Sequence, residues 1–183
     1  MSLFSEKEAL QIIVASIFVG LIFSYPSFES VEIVKYTLFY LVALTGKTLI
    51  MKRIAFLNGL GTEFKIFIPS MIFSLFLLLY GLKIPIPGYF SFGSFKFGRF
   101  KFFSKYPSVN EVGRVVTRGI FFNILLAFFG VVFNSREFIV INILQGLTSL
   151  IPFLPFEGGA VFFYDYFIWL ALMMLSLIIL IFG

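Results

Sequence analysis

Residues 150–159 read Leu-Ile-Pro-Phe-Leu-Pro-Phe-Glu-Gly-Gly, and this stretch separates two long apolar runs near the C-terminus. Pro152 and Pro155 disfavour the continuation of a helix beyond this stretch, because proline lacks a backbone N–H and its ring clashes with the preceding turn. Glu157 then stands at the mouth of the next apolar run. The stretch therefore predicts a polar junction between two membrane-type helices.

The composition places the whole chain in the membrane class. Its 183 residues are 60% hydrophobic and 13% charged, whereas soluble domains carry about 25% charged residues. Apolar runs of about 20 residues are long enough for a helix to cross a bilayer. We predict an all-α polytopic membrane protein, one integral membrane domain over residues 1–183, in the cell membrane of a prokaryote. Its six or so transmembrane helices are expected at about 9–25, 34–53, 64–82, 112–133, 138–154 and 160–182.

A Phe/Gly-rich segment at about 84–105 interrupts the helical pattern between the third and fourth helices. It opens with alternating isoleucine and proline and continues as a five-residue repeat in which aromatic and polar residues alternate. Alternation is typical of a strand with one apolar face. We interpret the segment as a β-hairpin-like insert, either at the membrane interface or re-entrant. Its candidate peptide-binding residues are Phe90, Phe92, Phe95, Phe97, Phe100 and Phe102.

The distribution of basic residues leaves the orientation ambiguous. Seven Lys and Arg side chains between residues 83 and 118 favour a cytoplasmic position for that region under the positive-inside rule. However, Lys52, Arg53 and Lys65 flank the preceding connection, which simple alternation places on the opposite face. The net charge of +5 fits contact with the anionic headgroups of the lipid bilayer and needs no nucleic acid.

Several short motifs occur in the order found in one protease family. Residues 150–159 are similar to its Asn-x-x-Pro-x-x-Pro-Leu-Asp-Gly-Gly motif, and Gly119, Asn123 and Ala127 keep the spacing of its Ala-Gly-Pro-x-x-Asn-x-x-x-Ala helix. Pro87 and Gly88 resemble its Pro-Gly strand element, and residues 59–65 resemble the stretch after its metal-binding helix. From about residue 44 onward the chain therefore resembles the site-2 protease family of intramembrane zinc metalloproteases.

The resemblance also implies that the catalytic chemistry is lost. Projected from Gly59, the family's His-Glu-x-x-His motif falls on Lys47, Thr48 and Met51, and the chain contains no histidine. In that motif two imidazoles four residues apart bind one zinc ion and the glutamate activates water. The family's aspartate ligand is Glu157 here, and its asparagine is Ser149. The resemblance thus implies a pseudoprotease with no catalytic residues, no metal ligand set and no cofactor.

Two charged residues of this degenerate motif lie in apolar surroundings. A charge near the bilayer centre costs about 2.5–3.5 kcal/mol and usually pairs or faces water. If the family geometry holds, Lys47 and Glu157 face each other, and we predict that an intramembrane ion pair replaces the metal. The alternative is that Lys47 extends to the membrane interface beside Lys52 and Arg53.

Other polar and small residues are interpreted as structural. Gly119, Asn123, Ala127, Gly158 and Gly159 are expected at helix-packing positions, where small residues allow close approach and polar side chains bond between helices. Asp165, flanked by tyrosines, is expected as an interfacial charge in an aromatic belt.

Two functional classes follow from a protease scaffold without its chemistry. The first is a structural or scaffold subunit that packs against other integral membrane proteins in a larger assembly. The second is a pseudoprotease that holds a membrane peptide client at its strand element by β-augmentation, without cleaving it. A subunit should bury a helix face or the strand edge against a constant partner, whereas a client binder should leave the strand edge open.

Overall fold

The computed structural model describes residues 4–94, 107–153 and 156–182 and is mostly helical. Three of its helices are long and apolar enough to cross a membrane: α1 (Glu6–Ser24), α2 (Ser30–Leu57) and α4 (Val109–Val132). This agrees with the predicted helical membrane class, while the six spans remain a prediction. The other elements of the described residues are β1 (Leu60–Ile66), α3 (Ile68–Leu79), β2 (Gly88–Ser94), α5 (Arg136–Ser149), α6 (Gly158–Tyr164) and α7 (Tyr166–Phe182).

The third, fifth and sixth predicted helices each include residues that the structure places outside a helix. The third segment was expected to be helical from residue 64, but β1 continues to Ile66 and the helix begins only at Ile68. The fifth was expected to reach residue 154 and ends at Ser149. The sixth is divided at Asp165, whose backbone is extended and whose Oδ1 accepts a hydrogen bond from the Ile168 N–H at 3.1 Å. Asp165 therefore starts α7, a local role beyond the expected interfacial charge.

Local signals explain where the long helices begin. Ser5 precedes α1, and its Oγ accepts a hydrogen bond from the Glu8 N–H at 3.1 Å. Before α4, Ser108 and Glu111 form a reciprocal capping box. Each arrangement gives a partner to N–H groups that the first helical turn leaves unpaired. After α2, Gly59 adopts a φ of 71°, a conformation that glycine adopts readily, and the chain turns into β1.

α2 runs antiparallel to both α1 and α4, and this arrangement defines two ends of the molecule. Glu8, early in α1, forms an ion pair with Lys52, late in α2. Gly119, in the first half of α4, lies against Met51 of α2. We call this the proximal end, where α1 and α4 begin and α2 ends. The distal end is the opposite one, where Lys83 Nζ donates to the Phe23 carbonyl oxygen at 2.8 Å.

The described basic residues are therefore distributed over both ends. Lys83 lies at the distal end, whereas Arg114 and Arg118 lie near the start of α4, at the proximal end with Lys52 and Arg53. The fifteen residues of α1 between Glu8 and Phe23 correspond to about 22 Å. Residues 83–118 consequently do not form one loop on one side, because the chain returns through the molecule after Lys83.

The two strands form an antiparallel sheet in which Phe64 lies opposite Phe90. The strand predicted for the start of the Phe/Gly segment is present, and its partner among the described residues is β1, which precedes α3. The edge of β1 away from β2 is covered by α1, because Glu8 Oε1 accepts from the Phe64 N–H at 3.0 Å and Gln11 Oε1 accepts from the Ile66 N–H at 3.3 Å. The expected hairpin residues 95–105 lie outside the described residues.

The described part of the segment runs from the distal end into the packed interior of the protein. It starts at the distal end with Lys83 and passes Lys47 of α2, whose Nζ lies 4.9 Å from the centroid of the Phe90 ring. Phe90 is 4% exposed. Non-helical backbone at such depth is stable only when protein or water provides its hydrogen-bond partners. Here the partners come from the neighbouring strand and from polar side chains.

The expected packing positions lie at close helix contacts, with one exception. A Cβ on Gly119 would stand 2.6 Å from Met51 Sδ, and one on Gly158 would overlap the Leu150 backbone. Ala127 and Asn123 are fully buried, but both side-chain amide atoms of Asn123 lack a partner within the described residues, so it makes no interhelical hydrogen bond there. Gly159 has only ordinary van der Waals contact with Pro152, so its position does not require glycine.

Candidate functional site

Lys47 lies at the centre of the candidate site. Its side chain is 1% exposed, and its Nζ donates to Ser149 Oγ at 2.6 Å. Ser149 is the last residue of α5, so the ammonium also lies at a helix C-terminus, where backbone carbonyls favour positive charge. The face of the Phe90 ring provides a further cation–π contact. Because Lys47 is buried, the alternative in which it extends to the interface is wrong.

Glu157 is the second charged residue of the site. It is 5% exposed and immediately precedes α6, and its Oε1 accepts a hydrogen bond from the Phe90 N–H at 2.6 Å. Hydrogen bonds to an ionised acceptor are about twice as strong as neutral ones. Phe90 thus contacts both charged groups, since its ring faces the ammonium and its backbone N–H binds the carboxylate.

Lys47 and Glu157 line the same cavity but do not form a direct ion pair. The ion pairs of the described residues are Lys35–Glu137 at 3.1 Å and Lys52–Glu8. The shared cavity is about 10 Å³, which is room for about one water molecule. The structure therefore brings the two predicted residues together and gives each its own uncharged partner.

Gln145 lines the same cavity and was not singled out as a site residue by the sequence. It is 4% exposed, and neither side-chain amide atom has a hydrogen-bond partner within the described part of the chain. Its position four residues before Ser149, on the same face of α5, is the sequence signal that could have placed it here. Phe90 was predicted as a strand residue, but nothing in the sequence indicated its contacts with both charges.

The other degenerate motif positions are used in packing. Thr48 Oγ1 donates to the Leu44 carbonyl oxygen at 2.6 Å, within its own helix. Met51 is fully buried against Gly119. Within residues 4–94, 107–153 and 156–182, no three His, Cys, Asp or Glu side chains gather in a group that could hold a metal ion. The chemistry that the site can supply is thus that of one amine, one carboxylate and neutral hydroxyl and amide groups.

The strand edge beside the site is partly covered. The Phe90 N–H points away from β1 and donates to the Glu157 carboxylate. In an antiparallel ladder the N–H of Phe92 points in the same direction. Within the described residues, no group outside the sheet bonds to the Phe92 N–H. The other predicted peptide-binding residues lie outside the described residues: Phe95, Phe97, Phe100 and Phe102.

Comparison with known proteins adds no relative. No family model matches the chain, and no curated protein or solved structure matches it. The resemblance to the site-2 protease family therefore depends on the motif residues of the sequence alone.

Proposed function

We propose that this chain is a multi-pass, site-2-protease-like pseudoprotease that acts as a structural subunit of a larger assembly of integral membrane proteins. The observation that carries the proposal is the grouping of Lys47, Ser149 and Glu157 around one cavity. These are positions that the resemblance assigns to the zinc site. Lys47 donates a hydrogen bond to Ser149, and Glu157 accepts one from the Phe90 backbone, so these residues hold the fold together.

The bonds of the site connect elements that are far apart in the chain. Lys47 joins α2 to the end of α5, and Glu157 joins the start of α6 to β2. A metal ion bound at positions 47, 51 and 157 would join α2 directly to the start of α6, whereas the present bonds restrain these two elements through α5 and β2. Replacing the ion by fixed hydrogen bonds keeps the helices positioned while removing the water-activating centre, as a scaffold requires.

α3 offers a surface for a partner. This apolar helix has 12 residues, and Ser70 and Ser74 are its buried positions. Its apolar side chains point outward, with Ile72 62% and Leu79 80% exposed. Because α3 is shorter than the roughly 20 residues needed to cross a bilayer, a neighbouring membrane protein would cover it better than lipid alone.

Purification of the native protein in mild detergent, with mass spectrometry of bound chains, tests the proposal. We expect a fixed, stoichiometric set of membrane partners, and loss of that set when Ile72 and Leu79 are changed to serine. The matched control changes Phe163 and Phe167, which are 75% and 79% exposed on α6 and α7, to serine. A solitary protein, or equal loss in both variants, would contradict it. Stoichiometric zinc in the preparation would contradict the non-catalytic assignment.

A client-binding function is the second candidate, favoured by the outward N–H of Phe92, which has no partner outside the sheet within the described residues. An extended peptide could pair there by β-augmentation, in which main-chain hydrogen bonds provide affinity. A photo-crosslinking residue at position 92 would then capture a heterogeneous group of peptides, and one at the exposed position 163 would not. Capture of one constant chain at position 92 would instead favour the subunit.

A further inference from the structure

Two arginines at the proximal end face a cavity that the site above does not use. Arg114 and Arg118 are four residues apart on α4, are both exposed, and line a cavity of about 330 Å³ with Thr117, Tyr164 and Ile168. Residues four apart share one face of a helix. Neither guanidinium has a hydrogen bond or ion pair within the described residues. Two like charges thus share one face, and no carboxylate of the described residues pairs with either.

The packing of α6 against α4 forms the wall of this cavity. A Cβ on Gly113 would stand 2.7 Å from the Ala160 carbonyl oxygen and would overlap Tyr164, so glycine permits the close approach. Tyr164 is thereby held beside Arg114. Thr117 Oγ1 donates to the Gly113 carbonyl oxygen at 2.8 Å and leaves no proton for a ligand. The lining side chains with donors left for a ligand are therefore those of Arg114, Arg118 and Tyr164.

Nearby carboxylates are engaged elsewhere. Asp165 caps the start of α7, and Glu111 accepts hydrogen bonds from Ser108. Among the described residues, no carboxylate lines the cavity. By contrast, the distal cavity of about 390 Å³ contains Glu137 beside Arg136 and Lys83, and so carries its own counter-charge. In the proximal cavity the charge of the two lining arginines is not balanced by a lining carboxylate of the described residues, so an external anion would be favoured there.

Two features place the cavity at headgroup level. The fourteen α4 residues after Arg118 contain one polar side chain, the buried Asn123, and extend about 21 Å into the apolar part of the molecule. Beside the cavity, Phe163, Tyr166 and Phe167 are exposed aromatics. Aromatic side chains concentrate at membrane–water interfaces. The arginines therefore lie where phospholipid phosphates lie, at one end of a candidate membrane helix.

We propose that Arg114, Arg118 and Tyr164 bind the phosphate of an anionic phospholipid headgroup. Guanidinium groups match phosphate oxygens with paired, charge-assisted hydrogen bonds. The cavity holds the headgroup, and the exposed aromatics flank its acyl chains. This assignment depends on the membrane location alone, so it holds whether or not the chain is a structural subunit.

Native mass spectrometry of the full chain in neutral detergent tests the site, with phosphatidylglycerol and phosphatidylcholine as probes. We expect preferential retention of phosphatidylglycerol, and a fall of about tenfold or more in the variant Arg114→Gln/Arg118→Gln, since each charged hydrogen bond is worth about 1.5–3 kcal/mol. The matched control, Arg53→Gln/Lys65→Gln, removes the same charge at the same end from exposed positions outside the cavity. It should retain the lipid. Unchanged Trp169 fluorescence shows that each variant is folded.

Three results would overturn the assignment. The first is equal loss of phosphatidylglycerol in both double variants, which would mean diffuse electrostatic attraction. The second is equal retention of both lipids by the unaltered chain. Inorganic phosphate provides the third test: if its adducts vanish in Arg114→Gln/Arg118→Gln while phosphatidylglycerol retention persists, the arginines bind free phosphate and not the lipid.

Discussion

The charge of Glu157 should stabilise the fold through Lys47, and a substitution pair can separate this effect from its hydrogen bond. Glu157→Gln keeps an oxygen for the Phe90 N–H but removes the charge that shares the cavity with Lys47. Removing one member of a contacting buried ion pair costs about 3–5 kcal/mol, because the other charge stays buried. Since these groups share a cavity without contact, we expect about 2 kcal/mol.

Further variants measure the contribution of the hydrogen bond to the Phe90 N–H and the effect of removing both charges. Glu157→Leu also removes the acceptor of the Phe90 N–H, which should cost about 1–3 kcal/mol more. Lys47→Met combined with Glu157→Gln removes both charges and should return to within about 1 kcal/mol of the unaltered protein. As a control, Glu137→Gln breaks the exposed ion pair with Lys35 and should cost less than about 1 kcal/mol.

Denaturant titration of the purified protein, followed by tryptophan fluorescence, measures these free energies of unfolding. Trp169 is the only tryptophan, and its Nε1 donates to the Leu150 carbonyl oxygen at 2.8 Å, directly after α5. Its emission therefore reports on the segment that follows Ser149. A coupling energy below about 0.5 kcal/mol between Lys47→Met and Glu157→Gln would refute electrostatic coupling across the cavity.

Three further predictions concern other contacts. Glu8→Ala removes a 1%-exposed carboxylate that bonds to the β1 backbone and to Lys52, and should lower the free energy of unfolding by about 3 kcal/mol in the same titration; an effect below 1 kcal/mol would contradict it. Gly119→Ala places a Cβ 2.6 Å from Met51 Sδ and should cost about 1–3 kcal/mol, partly recovered by adding Met51→Ala, whereas additive losses would exclude this clash. Lys47→His with Met51→His should create a site for about one zinc ion with Glu157, checked by metal analysis against Lys47→His alone; no zinc in the double variant would count against the site-2-protease-like arrangement.

The sequence predicted α1, α2 and α4 to within a few residues because hydropathy is a local signal. It did not predict β1, since residues 60–66 have no strand partner nearby in the chain. Their conformation depends on β2, about 28 residues later, and on Glu8 and Gln11 of α1. Such long-range partners cannot be recognised from the apolar content of a segment, so the strand was interpreted as the beginning of α3.

The sequence predicts which residues form the site but not which hydrogen bonds they make. Motif spacing grouped Lys47, Ser149 and Glu157, and the structure places them around one cavity. The direct ion pair was the simplest arrangement for two buried charges. Whether it forms depends on what else reaches the cavity, and the register of β2 places the Phe90 N–H within 2.6 Å of the carboxylate. That register is set by pairing with β1, a strand that the local sequence does not predict.

The resulting arrangement makes β2 essential to the burial of both charges. The ammonium of Lys47 faces the Phe90 ring, and the carboxylate of Glu157 bonds to the Phe90 N–H. If β2 moved away, Lys47 would keep Ser149 as a partner, but Glu157 would lose the hydrogen bond that offsets its desolvation. A direct ion pair would have tied the helices together without the strand. Since the two charges are instead stabilised through Phe90, any partner that pairs with the outer edge of β2 must compete with Glu157 at Phe90 or bind beyond it, at Phe92.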